Sequence, residues 1–217
     1  MSCHDLPSPG GTALIERALA LCAFPPGAAL ADVGCGGGEC VRYLNGRTDY
    51  RICGIDSDPA AIEKASAPGL DLRCCGAEEL PFGEASLDGM IFQCSLSLFK
   101  RPREALKSAA RALKEGGKII VADFYSRGTE AKFSRTLGRV ERKEKIILRL
   151  EEAGFKLLAF EDFTREMREL WGQLILDGGA PEELFGEGAA EKIKAAKCGY
   201  GLFVAEKGGR AGNDFRS

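Results

Sequence analysis

ALADVGCGGGEC, residues 29–40, decides the fold. Its first five residues, Ala29 to Val33, make a short apolar run that ends directly on glycines, the pattern of a buried parallel strand turning sharply into a helix. The glycine spacing then separates two ligand classes. A dinucleotide-binding turn takes G-x-G-x-x-G and seats a pyrophosphate on the following helix N-terminus. Counted from Gly34, the third glycine position holds Glu39, whose carboxylate would repel a pyrophosphate. The spacing that fits is G-x-G-x-G, through Gly34, Gly36 and Gly38. A tight strand-to-helix turn that binds nothing is the competing reading of these glycines taken alone.

Outward from this turn, strands and helices alternate. Leu14, Ala18, Leu21 and Cys22 share one face of a helix that starts near Thr12 and is stopped by Pro25-Pro26-Gly27. Past the glycines, a helix is expected from about Gly37 to Leu44 and a second strand from Arg51 to Ile55, ending in Asp56. Asp56 sits where a carboxylate can accept both hydroxyls of an adenosine ribose; capping of the helix opened by Pro59 is its other reading, and Ser57 and Asp58 serve that equally well. Further strands are expected at Leu70–Cys74, Gly89–Cys94 and Lys118–Phe124, the last entered through a Gly116-Gly117 turn, with a helix from Pro102 to about Leu113 between them. A helix from about Glu141 to Ala153 ends on Gly154 as a left-handed cap, followed by strands at Phe155–Phe163 and Gly201–Ala205. Such alternation with right-handed crossovers gives an α/β, doubly wound sheet with helices on both faces, and ligands bind beyond the carboxyl ends of its strands.

The boundaries expected are a single domain over residues 1–207, with an N-terminal helix or lid at 1–27, a helical insert at about 164–197 and a tail at 208–217. The balance of 30 basic against 32 acidic residues disfavours nucleic acid as the main partner, because phosphate binding needs a clustered basic surface. No apolar run approaches the roughly 20 residues of a membrane span. Nine cysteines with one histidine, His4, contain no C-x-x-C, so no metal site is expected. With no secretory leader in MSCHDLPSPGG, the cysteines read as reduced thiols in a cytoplasmic protein.

Five ordered segments resemble one family: ADVGCGGG (31–38), CGIDSDPAAIEKA (53–65), GAEELPF (76–82), LDGMIFQCSLSLF (87–99) and ALKEGGKIIVADF (112–124). They are similar to the class I S-adenosylmethionine-dependent methyltransferases, especially the branch like the ubiquinone and menaquinone C-methyltransferases. EEAGF (151–155) and GYGLFVAEK (199–207) match more loosely. The resemblance implies a Rossmann-like seven-stranded sheet of order 3-2-1-4-5-7-6, with the last strand antiparallel and a small helical cap. It also implies that S-adenosyl-L-methionine is the cofactor and S-adenosyl-L-homocysteine the product. Asp32 with the loop Gly34, Cys35, Gly36 and Gly38 would hold the methionine part, Asp56 with Ser57 the ribose, and Ala77 and Glu78 the adenine. Gln93 would lie beside the transferred methyl group. In one departure, Gly76 stands where many relatives carry aspartate, which passes adenine recognition to Glu78 or a backbone carbonyl.

The implied reaction is in-line displacement on a small-molecule acceptor. No residue stands out as the base: His4, Asp123 and Tyr125 are candidates, each with a structural reading beside it. Leu80 and Phe82 are expected to close the adenine pocket or simply to pack their loop. Arg127, Lys132, Arg135, Arg139, Arg142 and Lys143 read as a solvated helix face or as an attractor of anions. Trp171 with Leu170 and Leu174 reads as cap core or pocket wall. Three other functions compete: a non-catalytic cofactor-binding partner protein, an NAD-dependent oxidoreductase, and an arsenite methyltransferase suggested by Cys94 near Cys74 and Cys75. No motif sets the acceptor atom or the oligomeric state.

Overall fold

The structure, a computed structural model, describes residues 7–47, 49–134 and 136–208. Among these residues nine strands and eight α-helices follow in the order α1 (Gly11–Cys22), β1 (Ala29–Val33), α2 (Glu39–Arg47), β2 (Arg51–Asp56), α3 (Pro59–Ala65), β3 (Asp71–Cys74), β4 (Leu87–Gln93), α4 (Pro102–Ala112), β5 (Leu113–Ser126), β6 (Ala131–Lys132), β7 (Arg139–Arg142), α5 (Lys143–Glu152), β8 (Phe155–Asp162), α6 (Thr164–Leu176), α7 (Pro181–Phe185), α8 (Ala189–Ala196) and β9 (Gly199–Lys207). The long strands run in the order β3-β2-β1-β4-β5-β9-β8. This is the expected 3-2-1-4-5-7-6 arrangement once the two short strands β6 and β7 are counted. β9 is antiparallel to both β5 and β8, between which it lies.

Period-two alternation sends successive strand residues into two separate cores. Leu30, Ile91, Ile120 and Leu202 face one side, where α1, α2 and the cap helices contribute Leu14, Val41, Met167 and Phe185. Ala31, Met90, Ile119 and Phe203 face the other, against Leu106 of α4 and Leu150 of α5. Both faces of the sheet are therefore covered, which is why these strands are nearly continuous in apolar residues. No helix among the described residues is long and apolar enough to cross a membrane.

The structure corrects several expected boundaries. α2 begins at Glu39, not Gly37, because Gly38 holds φ +72°, outside the helical region. A side chain there would also press on Ala65, with its Cβ 3.3 Å from that of Ala65. β5 starts at Leu113 and absorbs the glycine pair; its pairing shifts from Leu87–Leu113 to Gly89–Lys118. The helix expected from Glu141 begins at Lys143, since Arg139–Arg142 is β7. Of the basic stretch, Lys132, Arg139 and Arg142 thus lie in a hairpin, β6 antiparallel to β7, and not on a helix face, while Lys143 opens α5. β7 pairs in parallel with the end of β5, Tyr125 with Glu141. β9 already occupies the other edge of β5 there, so β7 takes the lane that β4 leaves at Gln93. His4, Arg135 and residues 209–217 lie outside the described residues.

Candidate functional site

A cavity of 830 Å³ opens beyond the carboxyl ends of β1, β2 and β4. Its floor is the glycine loop, and hydrogen bonds explain its shape. The amides of Gly34 and Cys35 both donate to the Ile55 carbonyl, at 2.7 and 3.0 Å, tying the turn to β2. Gly34 has φ +77°, and a Cβ there would stand 2.4 Å from Ser95 Cβ. Only glycine lets the loop run this close to the segment after β4.

Asp56 organises the same loop. Its Oδ2 accepts from the Gly36 amide at 2.8 Å and its Oδ1 from the Asp58 amide at 2.9 Å. Asp58 in turn accepts from the Ala60 amide and caps α3. Capping thus falls to Asp58 and leaves Asp56, buried at the cavity, to hold the turn. Asp32 is buried in the cavity wall, and its Oδ1 has no hydrogen-bond partner among the described residues. Burial, and then the Asp56 charge, pushes its carboxyl up to about 7.

The sign of that shift gives a prediction for stability. A carboxyl raised above its unfolded value favours the fold while protonated, and this contribution is lost as pH rises from about 4 through its folded value. Asp123, buried and pushed up to about 6, acts in the same direction. The chain has a single histidine, so these two carboxyls dominate titration between pH 5 and 8. Ligand-free protein is expected to lose on the order of 4 kcal/mol from pH 5 to pH 8, and Asp32→Asn should remove most of the slope. Denaturant unfolding across this range checks it; flat or rising stability would overturn it.

Asp32, Gly34, Cys35, Gly36, Asp56 and Ser57 line this one cavity, as do Ala77, Glu78 and Gln93. Gly38 does not; it packs against α3. Ala77 is buried in a short 3₁₀ turn, Ala77–Glu79. A Cβ on Gly76 would lie 3.1 Å from Glu78 Oε2, so the Glu78 carboxylate stands beside the place a side chain at 76 would take. Leu80 and Phe82 do not line the cavity. Arg111 binds both of their carbonyls, at 2.9 and 2.8 Å, and they pack in the second core.

Asp123 and Tyr125 also stay out of the cavity. Asp123 accepts from the amides of Ser97 and Phe124, both at 2.8 Å, and Tyr125 donates to Asp162 at 2.7 Å. Strand alternation turns Phe124, between them, into the cavity wall. Phe124 is the residue of opposite parity to both candidates, so period-two alternation alone marks it as the one facing the cavity. Trp171 stacks on Phe124 at 5.8 Å between ring centroids and lies 5.1 Å from Phe185. All three rings line the cavity with Leu170 and Leu174.

Cys94 follows β4 at φ +52°, its Sγ 3.0 Å from the Tyr200 hydroxyl. The single Tyr200 hydroxyl hydrogen goes to the Ala122 carbonyl, which can only accept. Cys94 is therefore the donor in its contact with Tyr200. Burial pushes the thiol up to about 12 and keeps it neutral.

Residues 31–121 match the family described as methyltransferase domain. An uncharacterized methyltransferase, YodH, from Bacillus subtilis is 32% identical over 142 residues, 63% of this chain, and the chain spans 57% of that protein's length. The O-methyltransferase resE of Aspergillus sclerotiorum is 28% identical over 199 residues, covering 82% of this chain and 75% of resE. Among solved structures, geranyl diphosphate C-methyltransferase from Streptomyces coelicolor superposes with a TM-score of 0.77 at 15% identity, covering 90% of this chain and 79% of that one. The last likeness is one of fold.

Proposed function

We propose, from the match of residues 31–121 to the methyltransferase-domain family, that the protein is a class I S-adenosylmethionine-dependent methyltransferase that transfers a methyl group from S-adenosylmethionine to a small molecule bound beside it, by in-line displacement. The observation that carries this reading is the Asp32 carboxylate oxygen, buried at the cavity without a partner among the described residues. Buried acceptors are satisfied in working proteins, and the ammonium of the methionine part is a donor of suitable charge. Asp56 keeps lone pairs after accepting from Gly36 and Asp58, so it would take the ribose hydroxyls. Glu78, beside the bare Gly76, would accept from the adenine amino group.

When bound, the cofactor supplies a methyl group already activated on a sulfonium. What this chain adds is alignment and exclusion of water by the wall of Phe124, Trp171 and Phe185. Cys94 takes up no proton, because its thiol is already the donor to Tyr200. The soft-acceptor reading drawn from Cys94 gains no support from a thiol held neutral. Glu39 opens α2 at the cavity, where it would repel a pyrophosphate and so disfavours NAD.

Calorimetric titration with S-adenosylhomocysteine and with NAD separates these readings, followed by transfer of labelled methyl groups from the cofactor to a panel of small acceptors. The expected result is binding of S-adenosylhomocysteine, no binding of NAD, and label on an extractable small product. Tight NAD binding without S-adenosylhomocysteine binding overturns the proposal; cofactor binding with no transfer to any acceptor leaves a binding protein in its place.

A further inference from the structure

Strand order sorts the cavity into two unlike halves. On the β1-β2-β3 side stand its acidic residues Asp32, Asp56, Asp58 and Glu78, with Glu39 at the start of α2. Its two basic residues, Lys100 and Arg101, lead into α4, the helix that packs on the Ala77–Glu79 turn, and Arg101 Nε reaches Glu78 at 3.7 Å. The β4-β5 side, roofed by the cap, presents Leu98, Phe124, Leu170, Trp171, Leu174 and Phe185. No ionised side chain lines that second half among the described residues.

Apart from Gln93 and Ser8, both neutral and both lining the cavity, its polar groups are already committed as donors. The Thr136 hydroxyl donates to the Leu184 carbonyl at 3.0 Å, and the Ser95 hydroxyl to the Val33 carbonyl at 2.7 Å. The Cys94 hydrogen goes to Tyr200 and the Tyr200 hydrogen to Ala122. A carboxylate or phosphate placed there would find none of these hydrogens to receive, and an ammonium would find no carboxylate. Desolvating such a charge without a partner is costly enough to decide specificity. Aromatic faces, by contrast, reward a ring laid edge-on or offset against them.

Resting on the methyl-transfer reading above, we infer that the acceptor is an uncharged, apolar ring compound seated against Trp171, and that close analogues carrying a carboxylate, phosphate or ammonium are rejected. The acceptor half selects against charge because it offers no ionised partner and its Ser95, Thr136, Cys94 and Tyr200 hydrogens are spent on the protein itself.

Trp171 is the only tryptophan in the chain, so its fluorescence reports on this half of the cavity alone. The protein is first titrated with S-adenosylhomocysteine by calorimetry, and then, with that ligand saturating, with 2-naphthol, 2-naphthoate and 2-naphthylmethylammonium, which share one ring and differ in charge. The expected result is saturable quenching by 2-naphthol with affinity about tenfold or more above either charged analogue. Trp171→Ala, followed by calorimetry, should weaken 2-naphthol by about tenfold or more. If S-adenosylhomocysteine binds while naphthoate or the amine matches or exceeds naphthol, or while naphthol fails to bind, the inference is overturned. If S-adenosylhomocysteine itself fails to bind, the methyl-transfer reading fails, whichever naphthalene the pocket prefers.

Discussion

Asp56→Ala should weaken S-adenosylhomocysteine binding by about two orders of magnitude. Two losses combine. The amides of Gly36 and Asp58, which donate to the carboxylate at 2.8 and 2.9 Å, lose their acceptor, and an unsatisfied buried amide costs about 1–3 kcal/mol. The ribose hydroxyls lose a charged acceptor, worth about 1.5–3 kcal/mol. The ligand must then restore a loop that the free protein no longer holds in shape. Asp56→Asn separates the two contributions, since its one amide oxygen can serve a loop amide but carries no charge; an intermediate loss is expected. Calorimetry with circular dichroism as a folding control makes the measurement. A change under about fivefold in a folded Asp56→Ala variant would remove Asp56 from the cofactor site.

Gly34→Ala is expected to destabilise the protein by about 3 kcal/mol or more and to abolish cofactor binding. At φ +77° an alanine carries a left-handed penalty of about 1–2 kcal/mol. Its methyl would also sit 2.4 Å from Ser95 Cβ, and Ser95 is fixed by its bond to the Val33 carbonyl. Relief requires either the glycine loop or the segment after β4 to move, and both line the cavity. The double variant Gly34→Ala/Ser95→Gly removes the overlap but leaves the backbone penalty. It should recover about 1 kcal/mol or more of the loss. Denaturant unfolding of the three proteins checks this, and a Gly34→Ala loss below about 0.5 kcal/mol would show that the turn tolerates a side chain.

Much of the fold is legible because its strands are buried on both faces, so apolar runs such as Ala29–Val33 and Lys118–Phe124 stand out without structural help. The hairpin is not. Arg-Val-Glu-Arg at 139–142 has the composition of an exposed helical turn, and it is a strand only because the end of β5 lies free beyond Gln93. That vacancy is a tertiary fact with no local signature. The site divides in the same way. Asp32, Asp56 and the glycine turn sit at strand ends, where chain position fixes spatial position. Asp56 and Asp58 compete on paper for the cap of α3, and only the amide directions separate them. Trp171 and Phe185 reach the cavity from the cap, so their meeting with Phe124 depends on how helices dock across the sheet end. Gly38 belongs to the motif by spacing, yet its tight neighbour is α3.

The position of β9 has a consequence for how the protein is made. Residues 118–125 of β5 pair along one edge only with residues 199–207. A ribosome adds roughly 5–20 residues each second, so for several seconds the growing chain holds its most apolar central strand with that edge open. Strand edges of this kind recruit other chains, and β8 has no partner in the sheet until β9 is inserted beside it. Chains cut short before residue 199 would carry the whole glycine turn and still lack the strand that closes the sheet. The sheet of this protein therefore closes only after residues 199–207 have been made, and until then its open strand edge is the surface most in need of protection from aggregation.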